Sequence, residues 1–248
     1  MRFFIELSYN GKAYHGWQNQ PDAISVQEVL ENALSTLLKQ KISAMGAGRT
    51  DTGVHASQMF AHFDFDDQLP NNIIFKLNSF LPKDIAITTV FEVKDDVHAR
   101  FHAVSRTYNY RISTSKNVFN YDYAYALQKS LDVDLMNKAC EILLQYNNFQ
   151  CFSKVNTDVK TYNCKLMQAF WTVEKDELIF TIQADRFLRN MVRAIVGTLI
   201  NIGLGKLEVE KLHDILESKD RGEAGFSVPA HGLYLVNVEY PDTIKITN

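Results

Sequence analysis

The chain has 248 residues, 46% of them hydrophobic and 22% charged, with 11 glycines, 5 prolines and no low-complexity tract. That composition excludes collagen-like and wholly disordered chains and supplies ample material for a buried core. A net charge of −3 weighs against a uniformly basic, polyanion-binding surface, so a nucleic-acid partner would require a strongly asymmetric one.

The opening MRFFIELSYNGK lacks the apolar stretch of a signal peptide, and no apolar run approaches the roughly 20 residues that span a bilayer. No membrane association is expected. Cys140, Cys151 and Cys164 are odd in number and form no C-x-x-C, which fits reduced thiols in a cytoplasmic protein.

In chain order, FFIELSY alternates with Phe3, Ile5, Leu7 and Tyr9 on one side and predicts a half-buried strand. SVQEVLENALSTLLKQ places Val26, Leu30, Ala33, Leu34 and Leu37 on one helical stripe, with a capping-box pattern at Ser25 and Glu28. A short strand in KISAMGAG runs into a glycine-rich segment. SQMFAHFDF predicts a strand, NIIFKLNSFL a helix and IAITTVFEV a further strand.

From residue 100 a similar inventory recurs. VSRTYNYRI reads as a strand, DVDLMNKACEILLQY as a helix, and KLMQAFWTVEK with ELIFTIQA as a hairpin. FLRNMVRAIVGTLINIG and EVEKLHDILES read as helices, LYLVNVEY as a closing strand, and DTIKITN as a disordered end. Two successive units of strands and helices predict an α+β fold that is pseudo-duplicated in architecture. The break falls near residue 100, giving an N-terminal half over 1–103 and a C-terminal half over 104–248.

Three constellations carry candidate chemistry. GAGRTDTGVHA surrounds Arg49 and Asp51 with bendable backbone and ends at His55. It fits neither the dinucleotide fingerprint nor a phosphate-binding P-loop, since Asp51 stands at the third glycine and no G-K-[ST] follows. A side-chain cap on a turn is the plain alternative for that aspartate. In VSRTYNYRI, Arg106, Tyr108 and Tyr110 share a strand face, which suits either base stacking with phosphate binding or a tyrosine-lined core. In DRFLRNMVRAIVG, helical spacing sets Arg186, Arg189, Asn190, Arg193 and Gly197 opposite the apolar stripe. Such a face either grips an anion or is merely solvated. His98 and His102 in HARFH lack a third metal ligand in a segment that reads as extended. Asp64, Asp66 and Asp67 read as a solvated strand end.

These residues are also motifs. SYNGKAYHGWQNQ, SVQEVLENAL, GAGRTDTGVHA, HARF, RTYNY, FLRNMVRAIVG and GLYLVNVEYP resemble, in order and over residues 8 to about 241, the tRNA pseudouridine synthase A family. The resemblance implies two RRM-like halves whose strands join in one long, mostly antiparallel mixed sheet, with helices packed on it and a central active-site cleft. It implies an isomerase that converts uridine to pseudouridine at positions 38, 39 and 40 of the tRNA anticodon stem–loop, without metal, cofactor or energy source.

By the same resemblance Asp51 is the essential catalytic carboxylate, acting as nucleophile or base. Ribose attack, addition to the uracil ring and a glycal route all remain open. Arg193 matches the arginine that serves as charge partner of the aspartate, and Tyr108 the tyrosine that packs on the base and can handle the C5 proton. Arg49 matches the arginine that enters the space left by a flipped base. With Tyr108 and Arg49, Arg106 and His55 complete the substrate-binding candidates. A homodimer with one tRNA contacting both subunits is expected, with Arg100, Arg106, Arg111, Lys154, Arg186 and Arg189 on a basic face. A non-catalytic RNA-binding chaperone on the same scaffold, or a nucleoside hydrolase with a second carboxylate, are the rival readings.

Overall fold

The computed structural model describes residues 1–155 and 159–245. Among them are five α-helices and nine strands in a mixed, mostly antiparallel open sheet, which makes the fold α+β. Two compact units emerge: Met1–Val104 with the chain from Leu235 onward, and Ser105–Tyr234.

The first unit begins with β1 (Arg2–Tyr9), α1 (Val26–Leu38), β2 (Ala44–Gly46), β3 (His55–Asp64), α2 (Ile73–Phe80) and β4 (Ile85–Val93). β1 lies antiparallel between β4 and β3, and β2 pairs with β3. Ser25 caps α1 by accepting the Glu28 N–H at 3.1 Å, and Lys39 ends the helix in the left-handed region. Val26, Leu30, Ala33 and Leu34 are buried, so the predicted stripe is the packed face.

The alternation in β1 understates its burial. Phe4, on the face opposite Phe3 and Ile5, is also fully buried, because Tyr240 stands edge-on to it at 5.2 Å and Phe91 packs at 5.9 Å. HARFH is a turn rather than an extended segment. The His102 N–H donates to the His98 carbonyl, and imidazole Nδ1 atoms accept three backbone N–H groups: His62 from Ala99, His98 from Arg100 and His102 from His98. These local acceptors favour a turn over a sheet ladder. The Tyr240 hydroxyl fastens the same turn through the Ala99 carbonyl.

The second unit contains β5 (Ser105–Ser113), β6 (Tyr125–Ala126), α3 (Val133–Leu143), β7 (Leu166–Glu174), β8 (Glu177–Ala184), α4 (Met191–Gly203) and α5 (Lys211–Ser218). β8 is antiparallel to both β5 and β7, and the short β6 adds to β5 in parallel. Asp132 caps α3 through the Leu135 N–H at 2.9 Å. Cys140, Cys151 and Cys164 are buried, unbridged thiols whose pKa burial pushes up to about 12. α4 starts at Met191, not at Phe187, because Asn190 adopts a left-handed φ of 68° just before it. Arg186 and Arg189 therefore precede the helix and do not share a helical face with Arg193.

β9 (Leu233–Glu239) closes the chain and pairs with β3 in the first unit. The expected disorder over DTIKITN does not extend to residues 242–245, where Asp242–Ile244 form a short helical turn, Ile244 is buried and Lys245 bridges to Val93. Residues 246–248 lie outside the described residues.

Candidate active site

Asp51 sits on a loop that is held from both sides. The Trp17 N–H donates to the Thr50 carbonyl at 3.2 Å, and the Thr50 hydroxyl is 2.8 Å from the hydroxyl of buried Tyr9. Beyond Asp51, the Val54 N–H returns to the Asp51 carbonyl and the Gly53 N–H donates to the Tyr14 carbonyl. Tyr14 is anchored in turn by its hydroxyl on Asp84 at 2.7 Å. Gly53 (φ 79°) and Gly16 (φ 92°) supply the left-handed backbone these crossings require. Gly46 lies so close beneath Trp17 that a Cβ there would stand 2.4 Å from its indole nitrogen. Asp51 is half-buried and Arg49 exposed on this fixed backbone.

His55 opens β3 and is 2% exposed. Its Nδ1 accepts the Gly11 N–H at 3.1 Å, which ties the turn after β1 to the end of the aspartate loop.

In the second unit β5 presents Arg106 and Tyr108, both half-buried. The Tyr108 ring stands edge-on to Phe187 at 5.2 Å, and Arg106 donates to the Asp185 carbonyl at 2.7 Å. Tyr110 belongs elsewhere. It is fully buried, its hydroxyl donates to the Pro229 carbonyl at 2.9 Å, and its ring lies against Gly232. Burial raises its pKa well above the ordinary tyrosine value. So the strand face is divided: Tyr110 is core, while Tyr108 remains accessible.

Arg193 lies in the first turn of α4, whose remaining positions are almost all buried. Its Nε donates to the Val228 carbonyl at 2.7 Å, and the Val228 N–H donates back to the Arg193 carbonyl. The segment around Val228 runs against α4, and Gly197 permits this: a Cβ there would fall 1.8 Å from the Phe226 carbonyl oxygen. The arginine-rich face expected along this segment, whether anion-binding or solvated, is therefore absent from α4.

Of the proposed basic face, Arg111 is committed to a carboxylate: its guanidinium is 2.7 Å from Glu177 and lies over the Tyr234 ring. Arg100 lies over the exposed Phe101 ring at 5.7 Å. The Tyr9–Thr50 bond and the hold on Arg193 escaped the sequence reading. Their signals were Tyr9 inside SYNGKAY and the paired small residues Gly197 and Gly225.

A family model described as tRNA pseudouridine synthase matches residues 7–102 and 139–241. The chain belongs to this family and is an isomerase acting on uridine in tRNA. It is similar over nearly its whole length to proteins named tRNA pseudouridine synthase A. The one from Bacteroides thetaiotaomicron is 53% identical over 247 residues, covering 98% of this chain and 92% of that one. The one from Parabacteroides distasonis is 50% identical over 245 residues, covering 98% and 97%. A more distant relative, from Aliivibrio salmonicida, is 40% identical over 246 residues, covering 97% and 93%. Asp51, Arg49, His55 and Arg193 fall within the matched segments, whereas Arg106 and Tyr108 fall between them. No described helix is long and apolar enough to cross a membrane.

Proposed function

We propose that the chain makes pseudouridine at positions 38, 39 and 40 of the tRNA anticodon stem–loop, with Asp51 as the essential carboxylate. The observation that carries this reading is the pinned aspartate loop. Hydrogen bonds at Thr50 and at Gly53 and Val54 fix the backbone on both sides of Asp51, as a carboxylate that must meet one ribose carbon requires.

The reaction breaks the bond from ribose C1′ to N1 of uracil and forms one from C1′ to C5. C5 then gives up its proton and N1 acquires one, so the product is an isomer and no redox partner is consumed. Asp51 acts as nucleophile or base, and Arg193 is its charge partner. Tyr108, braced by Phe187, stacks on the uracil and handles the C5 proton. A stem uridine must leave the stack to react, at a cost on the order of a few kcal/mol. Exposed Arg49, two residues from the carboxylate, fills the vacated space. Arg106 contacts the substrate from β5, while His55, expected as a further substrate contact, is too buried for that and instead supports the loop through Gly11. The working form is a cytoplasmic homodimer, with one tRNA contacting both copies.

The test is release of tritium from C5-labelled uridine in a tRNA anticodon stem–loop. Wild type is expected to release label, and Asp51→Asn to lose release by about 10⁴-fold or more while still binding tRNA, as when a group acting directly on the reacting atoms is removed. Tight binding with no release by wild type would instead indicate a non-catalytic RNA chaperone.

A further inference from the structure

Between α5 and β9 the chain makes a strap over residues 221–229, and one side chain organises it. Half-buried Arg221 donates from Nη1 to the carbonyls of Gly225 (3.1 Å) and Ala224 (3.4 Å), and from Nη2 to Ser227 Oγ (2.9 Å). Ser227 Oγ also accepts from Asn190 Nδ2 at 2.7 Å, the residue whose left-handed backbone sets the start of α4. The Gly225 N–H donates to Thr198 Oγ1 at 2.8 Å, and Val228 closes a two-way bond with Arg193. The strap thus touches α4 at its start, at Arg193 and one turn further on. Its last contact uses the Nε–H of Arg193 and so fixes the plane of that guanidinium.

We propose that Arg221 is a positioning residue for the isomerisation: through Ser227 and the strap it sets the orientation of Arg193. The chemistry favours an arginine here. A planar fork can hold a hydroxyl and two carbonyls at once, whereas the single ammonium of lysine cannot reproduce those directions. A tilt of the Arg193 guanidinium changes how it meets a carboxylate, since such pairs depend on the geometry of two parallel N–H donors. None of the strap residues need touch tRNA. The proposal rests on the assignment of Arg193 as charge partner of Asp51.

The experiment is a double-mutant cycle read by single-turnover pseudouridylation of tRNA, with tRNA affinity and thermal midpoint measured on each variant. Arg221→Lys and Ser227→Ala are both made, so that a folding defect in one leaves the other to decide. Each is expected to slow the single-turnover rate by about 10- to 100-fold, as misplacement of a catalytic group does, with tRNA affinity within about twofold of wild type. In an Arg193→Lys background, which is itself slow, Arg221→Lys is expected to add nothing, because groups acting through one another are not additive. Full rate in both strap variants, or additive losses in the double mutant, would overturn the proposal and leave the role of Arg193 intact. Full rate in Arg193→Lys and Arg193→Ala would remove the assignment of Arg193 and the proposal with it.

Discussion

Gly46 and Gly48 stand two apart in one motif and do different work. Gly46 lies under the Trp17 ring, which is 3% exposed and has no room to retreat, while a Cβ at Gly48 would meet nothing within 4 Å. Gly46→Ala is expected to lower stability by about 1–3 kcal/mol through overpacking. Gly48→Ala is expected to be neutral or to stabilise by up to about 1 kcal/mol, through a less flexible unfolded chain. Urea unfolding of the two variants separates them, and equal destabilisation would refute the contrast. Read alone, the motif left Asp51 as a plain turn cap, and its resemblance to the family is what assigned it a role. Which glycine was structural was not legible, because Trp17 lies 29 residues earlier and only the folded chain brings it there. Similarly, Tyr108 and Tyr110 share a strand period, and only the cover supplied by Pro229 and Gly232 makes one core and leaves the other at the surface.

The turn over residues 98–102 is an element built from imidazole acceptors, and its stability is therefore tied to pH. Burial is the main cause that lowers the His62 pKa to about 4, with the nearby charge of Arg2 and the neighbouring His98 ring adding to it, while Asp64 opposes. The His98 pKa is lowered as well, again chiefly by burial. His62 is thus neutral when folded and takes up a proton near pH 6.5 when unfolded. Its contribution is complete above about pH 6.5 and is lost as pH falls from there toward 4, a change on the order of 2–3 kcal/mol. The urea midpoint should fall across that window, and His62→Asn should flatten the fall. An unchanged slope in the variant would remove His62 as the cause. Periodicity missed this turn because HARFH carries no hydrophobic pattern of its own. Helices were read well wherever cap and stripe agreed, as at Ser25 and in α1. The start of α4 was misplaced because the apolar spacing runs through Asn190 without a break, and the left-handed residue that ends the preceding loop leaves no periodic trace.

For the whole molecule the question is how a chain of net charge −3 holds a polyanion. Arg2 is paired with Asp64 and Arg111 with Glu177, so several cations serve the fold. The remaining positive groups must act locally, and tRNA affinity should fall steeply with salt. For roughly four to six phosphate contacts, a plot of log K against log salt is expected to have a slope of about −3 to −5. A slope near zero would place the binding energy in stacking and shape instead. Replacing Arg100 should reduce the slope by about 1 if that side chain meets a phosphate. The α+β class could be read from the order of elements, but the ownership of the last strand could not. Its alternation suits a strand in either unit, and its pairing with β3 leaves no trace in the sequence pattern.

That pairing has a consequence for how the protein is made. β3 pairs with β9 as well as with β1 and β2, and β9 leaves the ribosome only after β5 to α5 have been made. Until then β3 lacks one of its partner strands, with Phe4 and Phe60 awaiting the ring of Tyr240. Ser105–Tyr234 is complete in sequence before that partner is in place. The nascent chain therefore inverts the usual N-terminal-first order of domain completion: the half that carries Asp51 is synthesised first and finished last.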